Sequence, residues 1–229
     1  MDLAENLARV RERLAAACAR AGRDPAEITL VAVSKFHPPA AVAALAALGV
    51  TDFGESRVQE AKAKIPACPG RLRWHLIGHL QTNKARDAAQ LFDLIHSVDS
   101  LRLAEELQRQ ADKLGRRPRV LLEVNVAGEA TKFGWTPEAV LAGLPAVNAL
   151  PRLELHGLMG MAPWSPDPER ARPVFRRLAG LRRECEQRLG APLPVLSMGM
   201  SGDFAVAIEE GSTSVRIGTA LFGERPRAA

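Results

Sequence analysis

The stretch ITLVAVSKFHPPAAVAALAALGVTDFGE (residues 28–55) contains the unit from which the fold can be predicted. Its first eight residues, 28–35, form a short apolar run that ends in Ser and Lys. A Pro-containing bend and an apolar helix-like segment follow, and a second short run occupies 51–55. A strand, a helix and a strand in this order predict a βαβ unit with parallel strands.

Six further apolar runs continue the same pattern, with helix-like segments between the runs. Eight strands that alternate with helices predict an α/β protein, a single (β/α)8 TIM barrel. An open, doubly wound sheet is the alternative, but no G-x-G-x-x-G turn follows the first strand. The six runs are RWHLIG (73–78), FDLIHSVD (92–99), RVLLEVNV (119–126), LELHGLMGM (153–161), PVLSMGM (194–200) and TSVRIGT (213–219).

An additional helix precedes the first strand. Apolar residues recur at helical spacing over 3–21, and Gly22 and the pair Asp24-Pro25 end the pattern. No linker, repeat or low-complexity stretch divides the chain, so we expect one domain over 1–229 with the extra helix at 1–22. The Pro-rich segment APWSPDPER (162–170) is predicted to be a βα loop.

Composition argues against several classes of protein. The net charge is +5, but the arginines are scattered among acidic residues and aromatic residues make up only 4%, which disfavours a nucleic-acid groove. Cys18, Cys68 and Cys185 are odd in number and far apart, as expected of reduced thiols rather than disulfides or metal ligands. The charged N-terminus resembles no signal peptide, and no run approaches membrane-spanning length. We therefore expect a cytoplasmic protein that binds neither membranes nor nucleic acid. We also expect it to be a monomer.

Lys35 is the most informative candidate for a functional site. It ends the first predicted strand, and the βα loops of a (β/α)8 barrel converge on one mouth. Desolvation there would lower the pKa of the amine and let it attack a carbonyl group. A lysine that merely reaches solvent from a strand end accounts for the spacing equally well.

Two clusters of glycine and hydroxyl residues form the second candidate, Ser197–Ser201 (SMGMS) and Gly218-Thr219. Loops after strands 7 and 8 are the recurring phosphate site of this fold, because their backbone N–H groups can surround an anion. Ordinary tight turns are the alternative. Two clusters in the two expected loops favour phosphate.

Arg216 lies between Val215 and Ile217 in the eighth predicted strand, so its guanidinium needs a buried partner. The partner is either the ring nitrogen of a pyridine cofactor or a barrel carboxylate such as Glu123. A lysine for an aldehyde, an arginine for a ring nitrogen and loops for a phosphate together match one molecule, pyridoxal 5′-phosphate (PLP).

Other polar residues carry weaker signals. His75 and His156 alternate with apolar residues, as satisfied core histidines do. Glu55 and Glu60 could act as bases, although carboxylates at helix starts are common. Lys132 either faces the same mouth as Lys35 or is an ordinary surface lysine. Four methionines are predicted to line the barrel or its pocket: Met159, Met161, Met198 and Met200.

With these motifs the chain resembles the YggS/PROSC family of pyridoxal phosphate homeostasis proteins over nearly its whole length. The matching stretches include LVAVSKFHP, FGESRVQEAKAK, WHLIGHLQTNKAR and, at greatest length, LSMGMSGDFAVAIEEGSTSVRIGTALFGER. The family is similar to the barrel domain of alanine racemase and other fold-type III PLP proteins. The resemblance implies a Schiff base on Lys35, Arg216 at the pyridine nitrogen, and a phosphate held by Ser201, Gly218 and Thr219. Ser56 and Met198 are further candidate cofactor contacts.

The chain departs from the family pattern at two places. Ser56-Arg57 stands where the family usually has Asn-Tyr, and Gly202 replaces a common acidic residue before Asp203. A contact to the ring hydroxyl from the Ser56-Arg57 position is therefore not implied by the resemblance.

The resemblance implies a PLP carrier without an established reaction, whose partners include PLP-dependent apoenzymes. The absence of tyrosine agrees with a carrier, since a two-base racemase needs an acid or base on each face of its substrate. The competing hypothesis is a small racemase or lyase that uses His79 or Glu55 as the missing base. A Schiff-base aldolase without cofactor is a third hypothesis, and a nucleic-acid-binding barrel is the weakest.

Overall fold

The eight predicted strands form a closed barrel in which neighbours along the chain are neighbours in the sheet and all are parallel. This arrangement is seen in a computed structural model that describes residues 2–68, 70–129 and 131–223. Each strand is shorter than its predicted run, because the flanking residues form the loops on either side. The strands are β1 Thr29–Val33, β2 Asp52–Glu55, β3 Arg73–Leu76, β4 Leu94–Val98, β5 Arg119–Val124, β6 Glu154–Gly160, β7 Val195–Met200 and β8 Ser214–Ile217.

Helices follow the strands and cover the outside of the barrel, which confirms the predicted (β/α)8 fold. The Pro-rich segment 162–170 leads from β6 towards the next helix, as expected of a βα loop, and its last residues enter a short 3₁₀ helix at 168–171. Within the described residues the α-helices are α1 Leu3–Ala21, α2 Pro39–Ala47, α3 Val58–Lys64, α4 Ala85–Leu91, α5 Leu101–Leu114, α6 Pro137–Asn148, α7 Arg172–Leu189, α8 Phe204–Glu209 and α9 Thr219–Phe222.

The predicted N-terminal helix is α1, and both of its ends are capped. The Asp2 side chain accepts a hydrogen bond from the backbone N–H of Ala4 at 2.8 Å, and Gly22 adopts the left-handed conformation, φ 64°, that ends many helices. The buried face of α1 packs on α8 and α9. The Asn6 amide donates to the Leu221 carbonyl at 2.7 Å, so α1 supports the segment that follows β8.

The inside of the barrel is divided into an apolar and a polar part. Leu94, Leu121 and Met159 form a small cluster with Val195, separate from the main core between strands and helices. The polar part contains buried side chains from β2, β3, β4, β7 and β8, namely Asp52, His75, His96, Ser197 and Arg216. Polar groups inside a barrel core must be paired with one another or with a ligand.

The structure describes the three cysteines directly, together with the features that a membrane span or a metal site would need. Cys18, Cys68 and Cys185 form no disulfide, and burial raises the pKa of the Cys185 thiol to about 11. No helix among the described residues has the length and apolar character to cross a bilayer. The same residues include no group of His, Cys, Asp or Glu side chains that could hold a metal ion.

Candidate functional site

Lys35 lies at the carboxyl end of the barrel, in the turn between β1 and α2. The ladder continues one residue past β1, where the Ser34 N–H donates to the Gly54 carbonyl at 3.0 Å, and the chain then turns. The His37 N–H closes this turn on the Ser34 carbonyl at 3.0 Å. Lys35 therefore belongs to a βα turn and not to the strand that the sequence predicted to extend through it.

The buried ammonium group of Lys64 supports this turn. The Lys64 ammonium donates to the Ser34 carbonyl at 2.7 Å and to the Glu55 carboxylate at 2.6 Å. The Ser34 hydroxyl donates to the same Glu55 oxygen at 2.7 Å. Burial raises the pKa of Glu55, and the hydrogen bonds from Lys64 and Ser34 oppose that rise. Glu55 thus occupies a structural position beneath Lys35, although the sequence also suggested it as a base.

Glu60 holds the other side of the turn. Its carboxylate accepts from the Lys64 ammonium at 2.8 Å and from the Phe36 N–H at 2.6 Å. Phe36 has φ 67° and is the only non-glycine residue with positive φ among those described. This conformation is strained for a bulky residue and persists only where its surroundings fix it. The turn that presents Lys35 is therefore strained and held by several hydrogen bonds.

The loops after β7 and β8 touch each other at the same end of the barrel. The Ser201 hydroxyl accepts a hydrogen bond from the Ala220 N–H at 3.2 Å, which joins the loop after β7 to the first turn of α9. Gly218 and Thr219 lie directly before this contact. The structure thus brings Ser201, Gly218 and Thr219 together, as the sequence predicted for a phosphate site.

Arg216 is buried in β8, and its partners are neutral oxygens. Its guanidinium donates to the Ser197 hydroxyl at 2.5 Å and to the Gly160 carbonyl at 3.1 Å. Burial lowers the pKa of Arg216 to about 10, while Asp203 and Glu123 act in the opposite direction. Among the described residues Arg216 forms no ion pair with Glu123, the carboxylate that the sequence offered as its alternative partner. Two of the five N–H groups of the guanidinium are used in these bonds.

Glu123 is a candidate that the sequence did not identify as functional. It is 6% exposed, and its Oε2 atom has no hydrogen-bond partner among the described residues. Burial and the charge of Asp99 raise the pKa of Glu123 to about 7, against the attraction of Arg216. The available signal was a single charged residue within the apolar run VLLEV, which places a carboxylate in a barrel strand.

Glu123 lines a cavity of about 170 Å³ at the mouth. Lys132 borders the same cavity, so this lysine does face the mouth, and it is exposed. Met161, Met200 and Trp164 complete an apolar side of the cavity. The cavity therefore combines a buried carboxylate, a lysine and apolar contact area.

The two remaining predicted contacts, Ser56 and Met198, differ in position. Ser56 follows β2 at the mouth and packs closely on Gly78, where an added Cβ would lie 2.4 Å from the Ser56 carbonyl oxygen. Met198 is fully buried in the main core, with its carbonyl accepting from the Ser212 hydroxyl at 2.8 Å. The β7 ladder is irregular between Ser197 and Met200, where Gly199 has φ 94°, and Met200 rather than Met198 lines the mouth cavity.

Arg57, the residue after Ser56, lies against the turn that presents Lys35. Arg57, which stands where the family usually has Tyr, places its guanidinium 5.8 Å from the centre of the Phe36 ring. This arrangement brings a cation against the exposed aromatic side chain beside Lys35. Arg57 therefore packs on the rim of the mouth.

The histidines divide into core and surface groups. His75 is a paired core histidine, as predicted, with contacts to Asp52 at 3.0 Å and His96 at 2.9 Å. The prediction of a core position was wrong for His156, because the first residues of β6 are half-exposed. The His156 ring lies 3.2 Å from the Glu154 carboxylate, near the surface. His79 lies at the mouth, 3.1 Å from the Asp99 carboxylate and stacked on Phe133.

Because many unrelated proteins share the closed (β/α)8 barrel, comparison with known families decides the class, which is the barrel domain of the alanine racemase type. The family model described as "Alanine racemase, N-terminal domain" matches residues 5–226. Within that class the chain belongs to the family of pyridoxal phosphate homeostasis proteins, as its sequence motifs suggested. A protein of that name from Aquifex aeolicus is 46% identical over 226 residues, which cover 98% of this chain and 99% of the relative.

Two further relatives agree with this assignment. The pyridoxal phosphate homeostasis protein of Pseudomonas aeruginosa is 46% identical over 231 residues, covering 99% of this chain and 97% of the relative. The structure of PipY from Synechococcus elongatus with PLP bound has a TM-score of 0.84 and 41% identity. This match covers 97% of the present chain and 100% of PipY.

Proposed function

We propose that this chain holds PLP reversibly on Lys35 and so limits the concentration of the free aldehyde in the cell. The observation that carries the proposal is the family membership, since a relative of 41% identity with the same barrel was solved with PLP bound. The residues that the sequence selected for the cofactor, apart from Met198, lie at or directly below one barrel mouth.

The donor groups at this mouth suit the parts of PLP. A turn lysine suits the aldehyde, and the joined loops of Ser201, Gly218 and Thr219 offer hydroxyl and backbone groups to a phosphate. Arg216 is buried and needs polar partners, and the ring nitrogen of PLP would be such a partner. The donor set is therefore complementary to the cofactor.

Each residue has a distinct part in holding PLP. Bound PLP supplies an electrophilic carbon and an electron-withdrawing ring. A guanidinium donates hydrogen bonds and accepts none, so Arg216 favours a ring nitrogen without a proton, the form that withdraws electrons least. Lys64 and Glu60 fix the turn that presents Lys35. These features suit a protein that holds the cofactor more than one that uses it in catalysis.

The proposed absence of a dedicated reaction also rests on the missing tyrosine, since a racemase needs a second acid or base opposite the lysine. An amino-acid racemase or lyase is the second candidate, and one observation favours it. Glu123 is a buried carboxylate at the mouth whose pKa is raised to about 7, which is suitable for a general base. Turnover of an amino acid that disappears in both Lys35→Ala and Glu123→Gln, and exceeds that of free PLP, would favour the enzyme.

The decisive experiment for PLP binding is reduction with borohydride followed by peptide mapping. The purified protein should acquire a visible absorbance band with PLP, and reduction should fix the label on Lys35. Lys35→Ala should lose the band, whereas Lys62→Ala, which changes an exposed lysine of α3, should keep it. A label on another lysine with Lys35 unmodified would contradict the proposal.

We further propose that the holder is a cytoplasmic monomer that transfers PLP to PLP-dependent apoenzymes. Free thiols support a reducing compartment.

Of the five exposed large apolar residues described, four border the mouth: Phe36, Phe133, Met161 and Trp164. Such a cluster is typical of a protein contact surface. Light scattering should give the monomer mass, and Trp164→Ser should slow transfer to an apoenzyme without changing PLP loading. A loss of loading, or an unchanged transfer rate, would contradict the proposed contact.

A further inference from the structure

A continuous chain of hydrogen bonds runs through the barrel interior from Arg216 to Asp52. The Arg216 guanidinium donates to the Ser197 hydroxyl at 2.5 Å, and that hydroxyl lies 2.9 Å from His96 Nδ1. His96 Nε2 lies 2.9 Å from His75 Nδ1, and His75 Nε2 lies 3.0 Å from Asp52. All five side chains are buried, and they come from five different strands.

The two ends of this chain determine the direction of every bond within it. At one end the ionised Asp52 carboxylate can only accept, so a neutral His75 carries its proton on Nε2 and accepts at Nδ1. His96 must then donate from Nε2 and accept at Nδ1, which leaves the Ser197 hydroxyl as the donor to His96. At the other end Arg216 can only donate, and the Ser197 oxygen accepts from it. The direction is the same at each step, and all the bonds are satisfied with two neutral histidines.

The charges around the chain agree with this assignment. Burial lowers the pKa of His96 well below its usual value, and His75 and Arg216 lower it further. The carboxylate at the end stays ionised, since hydrogen bonds from His75 and Arg73 outweigh the effect of burial and hold the pKa of Asp52 well below its usual range. Arg73, which is largely exposed, pairs with Asp52 at 2.7 Å and closes the chain at the amino end of the barrel.

We propose that this one-way chain fixes the guanidinium of Arg216, which makes Ser197, His96 and His75 positioning residues for the cofactor ring. Its effect on the cofactor rests on the proposed function, whereas the direction of the bonds does not. Ser197 is the critical link, because within the described residues it is the member of this hydrogen-bond chain that contacts Arg216. A guanidinium held by Ser197 and by the Gly160 carbonyl has two anchors, and loss of one would free it to reorient.

The direction can be tested in the protein without cofactor. The protein has five histidines, so ¹⁵N labelling of histidine gives a small set of NMR signals. The signals of His75 and His96 are assigned with the variants His75→Asn and His96→Asn. At pH 7 both His75 and His96 should carry a proton on Nε2 and none on Nδ1. A proton on Nδ1 of either ring, or a doubly protonated ring, would overturn the inference.

The effect on Arg216 can be tested with three serine variants of the PLP-loaded protein. Ser197→Ala should weaken PLP binding about tenfold and shift the visible absorbance maximum, whereas Ser197→Thr keeps the hydroxyl and should restore the maximum. Ser214→Ala is a matched control. Ser214 is buried in β8 in register with Ser197, but its hydroxyl has no partner among the described residues.

The outcomes separate this inference from the proposed function. If wild type does not take up PLP, the proposed function fails, while the NMR result still decides whether the chain has the stated direction. If wild type takes up PLP and Ser197→Ala gives the wild-type maximum, or Ser214→Ala shifts it equally, Ser197 does not position Arg216. A shift confined to Ser197→Ala, with rescue by Ser197→Thr, supports the inference.

Discussion

The ammonium group of Lys64 lies 2.7 Å from the carbonyl oxygen of Ser34, the residue immediately before Lys35. A cation at the end of α3 thereby holds the turn at the end of β1. Both Lys64 and its partner Glu55 are buried, so neither charge can turn to water if the other is removed. The position of Lys35 therefore depends on a side chain that belongs to another βα unit.

Replacing Lys64 by Met should destabilise the protein by about 3 kcal/mol or more, because the buried Glu55 carboxylate loses its cation. The free energy of unfolding is measured in urea. The same variant should take up less PLP at Lys35, since the turn loses its support at the Ser34 carbonyl.

Lys62→Met is the matched control for this prediction. Lys62 is also in α3, but its ion pair with Asp87 is exposed, so its loss should change the stability by less than about 1 kcal/mol. In the double variant Lys64→Met, Glu55→Gln, part of the lost stability should return. Equal effects of the two lysine variants would show that the buried contact does not support the turn.

The positive φ of Phe36 predicts an unusual order of stability between two variants. Phe36→Gly should be more stable than Phe36→Ala by about 1 kcal/mol, because a Cβ is strained at φ 67° and glycine has none. Both variants remove the phenyl ring and its contact with Arg57, so these losses cancel in the comparison. Urea unfolding of the pair measures the difference. A more stable Ala variant would mean that the turn does not keep this conformation in solution.

The sequence was sufficient to predict the barrel, because each apolar run and each following bend is a local pattern. The position of Lys35 near a strand end, and the two loops that contain Ser201 and Gly218, could be predicted for the same reason. The chain of hydrogen bonds inside the barrel could not be predicted, since His96 and Ser197 are 101 positions apart and meet only when the barrel closes. The buried position of Lys64 could not be predicted either, because a lysine in a short polar helix is ordinarily exposed.

Glu123 makes the stability of the protein depend on pH near neutrality. Its pKa is about 7 in the folded protein, raised mainly by burial from the ordinary value near 4.5. The folded state therefore binds this proton more tightly than the unfolded state, and this group lowers the stability as the pH rises from about 4.5 to 7. Glu123→Gln removes the titration while keeping the size of the side chain. The variant and wild type should be equally stable at pH 4.5, and the variant should be more stable at pH 8 by up to about 3 kcal/mol.

Urea unfolding of both proteins at several pH values between 4.5 and 8 tests this expectation, because the difference between them isolates the one carboxylate. The difference should rise through the interval and level off above pH 7. A constant difference would mean that Glu123 has the same proton affinity in both states, and hence that water or another partner reaches its Oε2 atom. A difference of opposite sign would mean that the charged form is favoured by folding, so that Arg216 and not burial dominates the environment of Glu123.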